Sequence, residues 1–168
     1  VAEHLMAVVD GQIKKLLLNV PPRTLKSSLL SVTLLPWCWA QPEKRWSPTC
    51  GPHVRFLYGS YSHPLALRDS VRSRRVIQSP LYQRLWGDRF QLSPDQNAKQ
   101  RYNNDKSGER LITSVDSGAT GEGGMIICVD DPNDASDVNS DAALQNAINW
   151  WDGTLQTRSL LPVEQLRW

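Results

Sequence analysis

A lysine, a serine and a pair of aspartates are the residues of this sequence whose spacing suits phosphate chemistry. Residues 16–20 are an apolar run, and two prolines then lead into Arg-Thr-Leu-Lys-Ser-Ser at 23–28. A strand, a tight turn and Lys-Ser at the start of a helix form the layout of a phosphate-binding loop. Lys26 would contact the β- and γ-phosphates of ATP, and Ser27 would bind Mg²⁺. The other nucleotide-binding residues of this loop are Pro22, Arg23, Thr24, Leu25 and Ser28.

The loop departs from the standard pattern G-x-x-x-x-G-K-[ST] at both glycines. Val20 and Leu25 stand at those two positions. Because a residue with a Cβ adopts a positive φ only with difficulty, we expect the turn to differ in detail from a standard loop. A helix that simply begins after two prolines explains this segment equally well.

A second element, about one hundred residues further on, favours the phosphate interpretation. The apolar run 126–129 is followed directly by Asp130 and Asp131. In a parallel sheet these carboxylates lie at the carboxyl edge, where ligands bind. Asp130 would bind the Mg²⁺ and Asp131 would orient or deprotonate the attacking water. Paired acids after a strand are more often solvated strand ends or helix caps, but together with the Lys-Ser turn they predict nucleotide hydrolysis.

The elements that must position these groups alternate between helix and strand. Helices are predicted over 3–10, 25–34, 64–78 and 80–86, and a last one carries Leu144, Ile148, Trp151 and Leu155 on one face; Pro36 should end the second. Strands are predicted over 16–20, 54–58 and 126–129, with a hairpin of 101–104 and 110–115. This order predicts an α/β fold with a parallel sheet between helices.

Composition excludes several other classes of protein. The chain has 168 residues, of which 40% are apolar and 21% charged, so we expect one globular domain and neither a disordered tail nor a membrane protein. A net charge of +2 does not by itself demand a polyanionic partner. The three cysteines and three histidines lack the spacing of a zinc site or a disulfide framework, which favours a reducing compartment.

Three further groups have a functional and an ordinary interpretation. An arginine cluster would contact DNA phosphates or only solvate a helix face; it comprises Arg68, Arg72, Arg74 and Arg75. Thr120 or Glu122 would sense the phosphate, or else the glycine-rich segment around them is a flexible exit from the hairpin. Tyr61 and Ser62 would couple nucleotide to DNA, or form an ordinary strand end.

Several segments together resemble one known family. They are "NVPPRTLKSS", the stretch from "YGSYSHPLALRDS" to "GERLITSV", "GATGEGG" and "MIICVDDP". Over residues 3–158 the chain is similar to the N-terminal ATPase region of the large terminase subunit of tailed bacteriophages and prophages. In that family the Lys-Ser turn often lacks the glycines and carries an arginine, here Arg23, and the acid pair often precedes proline, here Pro132.

The resemblance implies a RecA/ASCE-like P-loop NTPase that hydrolyses ATP with Mg²⁺. It implies a motor that moves double-stranded DNA, irrespective of sequence, through a portal protein into a procapsid, with a small terminase subunit as partner. A homo-oligomeric ring in the cytoplasm of a bacterial host, without membrane contact, completes the expectation. Arg23 would act in catalysis by stabilising charge on the γ-phosphate, or would form a structural salt bridge.

Two segments do not resemble the family. Residues 40–53 read as an atypical insertion or a disturbed segment, and 159–168 as a divergent tail. The strand that follows the acid strand in such motors, and the nuclease domain, are expected to be absent. We therefore expect a partial ATPase domain over 1–158, incomplete at its C-terminus. An inactive nucleotide- or DNA-binding remnant and a helicase-like ATPase remain as alternatives.

Overall fold

Five strands and five α-helices make up the fold in a computed structural model that describes residues 1–21, 23–115, 121–134 and 140–161. The helices are α1 (Ala2–Val9), α2 (Leu34–Ala40), α3 (His63–Gln78), α4 (Pro80–Trp86) and α5 (Asp141–Trp150). The strands are β1 (Arg55–Ser60), β2 (Leu92–Asn97), β3 (Arg101–Asn104), β4 (Glu109–Ser114) and β5 (Ile126–Val129). A π-helical segment, Ser28–Thr33, precedes α2, and another, Trp151–Leu155, follows α5.

The strands form one mixed sheet in the order β2-β3-β4-β1-β5. β1 runs parallel to both β4 and β5, whereas β2, β3 and β4 are joined in antiparallel pairs. The α/β class is therefore confirmed. The sheet is mixed rather than only parallel, because the strands of the predicted hairpin, β3 and β4, pair antiparallel within it. The short turn between β3 and β4 permits only an antiparallel pair. A further strand, β2, which the sequence did not predict, pairs antiparallel with β3. Pro94 is tolerated in β2 because this is an edge strand.

The predicted strand over 16–20 does not form. These residues carry no strand assignment, and Leu17 is 92% exposed. Leu16 and Leu18 pack against the main core, so the segment has one covered face only. In the described residues no strand lies beside β5 on the side away from β1. The strand that would connect residues 16–20 to β5 is therefore not formed.

The outer side of β5 instead meets the chain that returns after α5. Gly124 forms an isolated parallel bridge with Ser159. Its N–H donates to the Arg158 carbonyl and its own carbonyl accepts from the Leu160 N–H, both at 3.0 Å. Within the described residues, the pairing on this side is a single bridge just before β5, and no further strand is formed there.

The helix after the Lys-Ser turn is longer than the sequence predicted. It runs over 26–40 without interruption, although Pro36 was expected to end it. Pro36 lies just after the π-helical segment passes into α2, and it does not end the helix. Its carbonyl accepts a hydrogen bond from the Tyr82 hydroxyl at 2.8 Å, which ties α2 to α4.

Helices cover both faces of the sheet. The larger core lies under α1, α2, α3 and α4, with Trp39, Phe56 and Tyr102 almost fully buried. On the other face Trp150 and Leu155 pack on Leu57. A Cβ at position 59 would lie 2.6 Å from Trp150 Cη2, so a glycine is required where α5 crosses β1.

The apolar face predicted for the last helix is largely wrong. Leu144, Ile148 and Trp151 are 36%, 51% and 40% exposed, whereas Leu155 is buried as predicted. Trp150 occupies the position beside the sheet because it fits over Gly59. Spacing alone did not distinguish the covered face from the exposed one.

The atypical segment 40–53 belongs to the main core. The Ser47 and Thr49 hydroxyls donate to the Val9 carbonyl at 2.6 and 2.9 Å, and Cys50 is fully buried. These contacts hold the end of α1 against the fold. Among the described helices, none has both the length and the hydrophobicity needed to cross a membrane.

Candidate functional site

The two aspartates lie at the carboxyl ends of adjacent parallel strands. Gly59 of β1 pairs with Val129 of β5, and the ladder continues beyond both strands. The Asp130 N–H donates to the Gly59 carbonyl and the Tyr61 N–H donates to the Asp131 carbonyl, each at 3.0 Å. The backbone of the acid pair is therefore fixed by β1, at the edge of the sheet where α/β proteins bind their ligands.

Lys26 reaches this pair from the turn before the π-helical segment. Its Nζ lies 3.2 Å from Asp130 Oδ1 and makes a short hydrogen bond with Asp131 Oδ1. The Ser31 hydroxyl donates to the second oxygen of Asp130 at 3.2 Å. Residues more than one hundred positions apart thus form one charged cluster, which we call the acid-edge site (Lys26, Ser27, Ser31, Asp130, Asp131).

The turn that carries Lys26 adopts the backbone that its composition disfavours. Arg23 and Leu25 have φ values of 64° and 63°, and Asp131 has 47°. Leu25 occupies the place of the second glycine in the standard loop, and it takes up the left-handed conformation anyway. The expectation that a glycine-free loop would avoid positive φ is therefore wrong at this position. Each such residue costs about 1–2 kcal/mol, and strain of this kind concentrates at functional sites.

The charge on Lys26 is stabilised by its neighbours. Partial burial lowers the pKa of its ammonium, but the hydrogen bond to Asp131 and the charges of Asp130 and Asp131 outweigh that effect. The net result is a pKa above the ordinary lysine value of 10.5. Lys26 therefore carries a full positive charge at neutral pH.

A small cavity of about 40 Å³ lies beneath the site. Ser27, Ser31, Asp130 and Asp131 contribute to its wall. The Asp130 side chain is only 11% exposed, whereas that of Asp131 is 57% exposed. Asp130 therefore faces the interior and Asp131 faces solvent, an asymmetry that suits a buried metal ligand beside a residue that orients water.

The oxygens of Ser27 and Asp130 fit Mg²⁺ in kind. Both are hard ligands, and Mg²⁺ in nucleotide sites takes one or two protein oxygens and completes its shell with phosphate oxygens and water. The described residues hold no group of three or more His, Cys, Asp or Glu side chains of metal-binding geometry. A metal at the acid-edge site would thus need the nucleotide as a co-ligand.

The remaining predicted loop residues lie less close to the acids. Arg23 is exposed and forms no ion pair within the described ranges. The Thr24 hydroxyl donates to the Pro21 carbonyl at 2.7 Å and so closes the turn. Ser28 is exposed and lines a separate open groove. Pro22, and Thr120 of the glycine-rich segment, lie outside the described residues.

The arginine cluster of α3 is divided between two roles. Arg68 and Arg72 both contact the buried carboxylate of Asp69. Arg74 donates to the backbone and side-chain oxygens of Asn97 at 2.6 and 2.8 Å, which holds β2 against the helix. Arg72 and Arg75 line the open groove beside Ser28. Only part of the predicted DNA-contacting face is therefore available for a ligand.

Glu122 does not lie near the acid pair. It contacts Arg101 Nη1 at 2.9 Å and Arg55 at 3.9 Å, and both arginines also pair with Glu109. Arg55 and Glu109 are the first residues of their parallel strands, so this group lies at the amino edge of the sheet. The interpretation of Glu122 as a phosphate sensor is wrong, because a strand length separates it from the site.

Two residues of the site region were missed by sequence reasoning. Ser31 looked like an ordinary polar position within a helix. Arg110 also lines the cavity and is 1% exposed. The signal for Arg110 was its place in the predicted hairpin strand, two residues before Ile112 and hence on the same face as a core residue.

Comparison of the whole chain with family models, with curated proteins and with solved structures gave no match. The functional assignment therefore depends on the geometry above and on the resemblance of the sequence motifs.

Proposed function

We propose that this chain is the ATP-hydrolysing domain of a P-loop motor of the terminase large-subunit type. The observation that carries the proposal is the convergence of Lys26 with Asp130 and Asp131, which are 104 and 105 positions away in the sequence. A strained turn before a helix and an acid pair at the carboxyl edge of a parallel strand pair are the two elements such an enzyme requires.

The residues would divide the reaction between them. Lys26 would leave the acid pair and bind the β- and γ-phosphates, because a triphosphate offers it more negative charge than two carboxylates. Ser27 and Asp130 would hold Mg²⁺, which supplies charge neutralisation at the phosphate oxygens. Asp131, the exposed member of the pair, would orient the attacking water. Arg23 lies on the turn and forms no ion pair within the described residues, so its guanidinium would be available to stabilise charge on the γ-phosphate.

The proposed motor would act on double-stranded DNA without reading its sequence. Arg72 and Arg75 line a groove of about 520 Å³ next to Ser28, so a backbone phosphate bound there would lie close to the nucleotide loop. Binding through arginine and phosphate would weaken steeply with added salt. The portal protein, the small subunit, the homo-oligomeric ring and the host cytoplasm are carried over from the family resemblance.

A second candidate function is nucleotide binding without turnover. It is favoured by the failure of residues 16–20 to join the sheet, because a loop that follows an unpaired segment is held less rigidly. Transition-state stabilisation depends on preorganised groups, so a mobile Lys26 would still bind phosphate and yet contribute less to the rate.

Measurement of ATP hydrolysis with and without duplex DNA tests the proposal. We expect Mg²⁺-dependent turnover that falls by about 10²–10³-fold in Lys26→Ala, as when one charge-stabilising donor is removed. Lys99→Ala, which changes an exposed lysine, is the matched control and should keep the wild-type rate. Nucleotide binding without hydrolysis would support the second candidate. An equal rate in wild type and Lys26→Ala would discredit the assigned site.

A further inference from the structure

Arg110 is a charged residue in the middle of the fold. It lies on β4 opposite Phe56 of β1, and only 1% of its surface is exposed. Its guanidinium carbon lies 3.7 Å from the centre of the Tyr58 ring, so one face of the cation is covered by an aromatic side chain. That contact attracts the charge but offers it no hydrogen-bond acceptor in the plane of the guanidinium.

The hydrogen-bonding capacity of Arg110 is largely unused. Its Nε and Nη1 atoms are buried and have no hydrogen-bond partner in the described part of the chain. No described carboxylate lies within 4 Å of it, since Asp69 is paired with Arg68 and Arg72 and Asp130 is paired with Lys26. The Tyr102 hydroxyl accepts from the same guanidinium, but Nε and Nη1, which point in different directions, have no acceptor among the described residues.

The Tyr58 hydroxyl is in the same situation. It is buried without a hydrogen bond in the described residues, and Tyr58 lines the cavity together with Arg110. Burial raises the pKa of Tyr58 well above its ordinary value, so the hydroxyl keeps its proton and remains a donor. The cavity beneath the acid-edge site thus presents three donor groups from two neighbouring strands.

The kind of ligand follows from charge and size. A buried cation without a counter-charge is unfavourable, and water can accept a hydrogen bond from it but cannot neutralise it. The cavity of about 40 Å³ exceeds the roughly 10–15 Å³ that one water needs. Phosphate carries the negative charge that water lacks, and it offers several acceptor oxygens for single hydrogen bonds from the guanidinium and from the tyrosine hydroxyl.

We propose that Arg110 and Tyr58 form a buried oxyanion site, which takes a phosphoryl group directly beneath the aspartate pair. The site rests on the proposed function only for the source of that group, which is either the γ-phosphate of bound ATP or free inorganic phosphate. Asp69, Asp130 and Asp131 line the same cavity and would repel an anion, but all three are paired with cations, Asp69 with two arginines and the other two with Lys26.

Calorimetric titration of the nucleotide-free chain with inorganic phosphate tests the site. We expect one saturable site. Its affinity for phosphate should fall at least about tenfold in Arg110→Met, which keeps an unbranched side chain and removes the guanidinium. Arg84→Met changes an exposed arginine of α4 and should keep the wild-type affinity. Saturation absent from the wild-type chain up to about 10 mM phosphate would overturn the proposal.

A second, more conservative variant keeps the test valid if Arg110→Met does not fold. Tyr58→Phe removes only the hydroxyl, and we expect it to weaken phosphate binding several-fold while the circular dichroism spectrum stays unchanged. Unchanged phosphate affinity in both Tyr58→Phe and a folded Arg110→Met would refute the assignment. Lys26→Ala separates this proposal from the previous one: it should lower ATP hydrolysis by about 10²–10³-fold, whereas phosphate should still saturate one site, with a reduced affinity because Asp130 and Asp131 lose their cation.

Competition then identifies the source of the phosphoryl group. If the γ-phosphate enters the site, a slowly hydrolysed ATP analogue should exclude phosphate whereas ADP should not. If only free phosphate enters, phosphate should bind in the presence of either nucleotide. Both results support the site and assign its ligand.

Discussion

Two clusters of opposite charges lie at the two edges of the same sheet, and they are built differently. The amino-edge cluster (Arg55, Arg101, Glu109, Glu122) has two arginines for two glutamates, and its glutamates accept directly from them. The acid-edge site has one lysine for two aspartates. Asp131 has a positive φ, and Lys26 directly follows Leu25, which also has one.

The difference separates a stabilising cluster from a site that retains binding capacity. At the amino edge the charges are matched, and strands carry three of the four residues. At the acid edge one cation is shared, a cavity lies beneath it, and the turn is strained, so a ligand that brings negative charge and a metal would improve the local balance.

The strongest test of this difference is to remove one carboxylate charge at each edge of the sheet. Asp130→Asn should lower the rate of Mg²⁺-dependent ATP hydrolysis by about 10²–10³-fold, because the amide is a poor metal ligand. Glu122→Gln, at the other edge, should leave the rate within about twofold. Steady-state hydrolysis across a range of Mg²⁺ concentrations measures both. Equal losses in the two variants would contradict the assignment of chemistry to one edge.

The amino edge should show its effect in stability instead. The Glu109 side chain is 5% exposed and lies against both Arg55 and Arg101. Glu109→Gln removes the charge that these arginines share, and we expect a loss of about 2 kcal/mol in the free energy of unfolding, reduced from the buried-pair value because the arginines are partly solvated. Urea denaturation checks it, with the exposed Glu43→Gln as a control that should change by less than about 0.5 kcal/mol.

The strain at the acid edge is open to a smaller test. Leu25 is 68% exposed and holds a φ of 63°, so Leu25→Gly removes the left-handed penalty and little buried surface. We expect a stability gain of up to about 1 kcal/mol, since the greater entropy of glycine in the unfolded chain offsets part of the relief. Leu85→Gly, in the regular helix α4, should instead lose about 1 kcal/mol. Losses of equal size in both variants would show that the turn is not strained.

The smallest expected effect is a pH dependence of the acid edge. Because the folded-state pKa of Lys26 lies above 10.5, its contribution to stability is complete below that value and is lost as the pH rises through the folded-state pKa. The difference in unfolding free energy between wild type and Lys26→Ala should therefore stay constant from neutral pH to about 9.5 and shrink above about 10.5. If the difference in unfolding free energy already declined between pH 7 and 9, Lys26 would not be the cation that both aspartates stabilise.

Local patterns predicted most of the elements, and contacts between distant segments decided the errors. α3 and α4 begin at prolines and follow helical spacing, and β5 is an uninterrupted apolar run, so each was predicted nearly to its ends. Residues 16–20 satisfied the same apolar criterion as β5 but lacked a neighbouring strand, which no local pattern reveals.

The candidate site divides in the same way. Residue types and spacing led to Lys26, Asp130 and Asp131, which the structure brings into contact. Arg110 was not predicted, because its importance lies in the acceptors it lacks, and an unused donor is visible only when its whole surroundings are known. Leu25 shows the converse, since it adopts a backbone conformation that the residue itself disfavours, directly before the lysine that pairs with the two aspartates.

The three cysteines, Cys38, Cys50 and Cys128, are all buried and unpaired. Burial raises the pKa of each thiol, to about 12 for Cys128, so the reactive thiolate is scarce in the folded chain. We therefore expect the native protein to react only slowly with maleimides and disulfide reagents. A single cysteine introduced on an exposed surface would consequently be the one that accepts a dye or spin label, and any slow additional labelling would record how often the core opens.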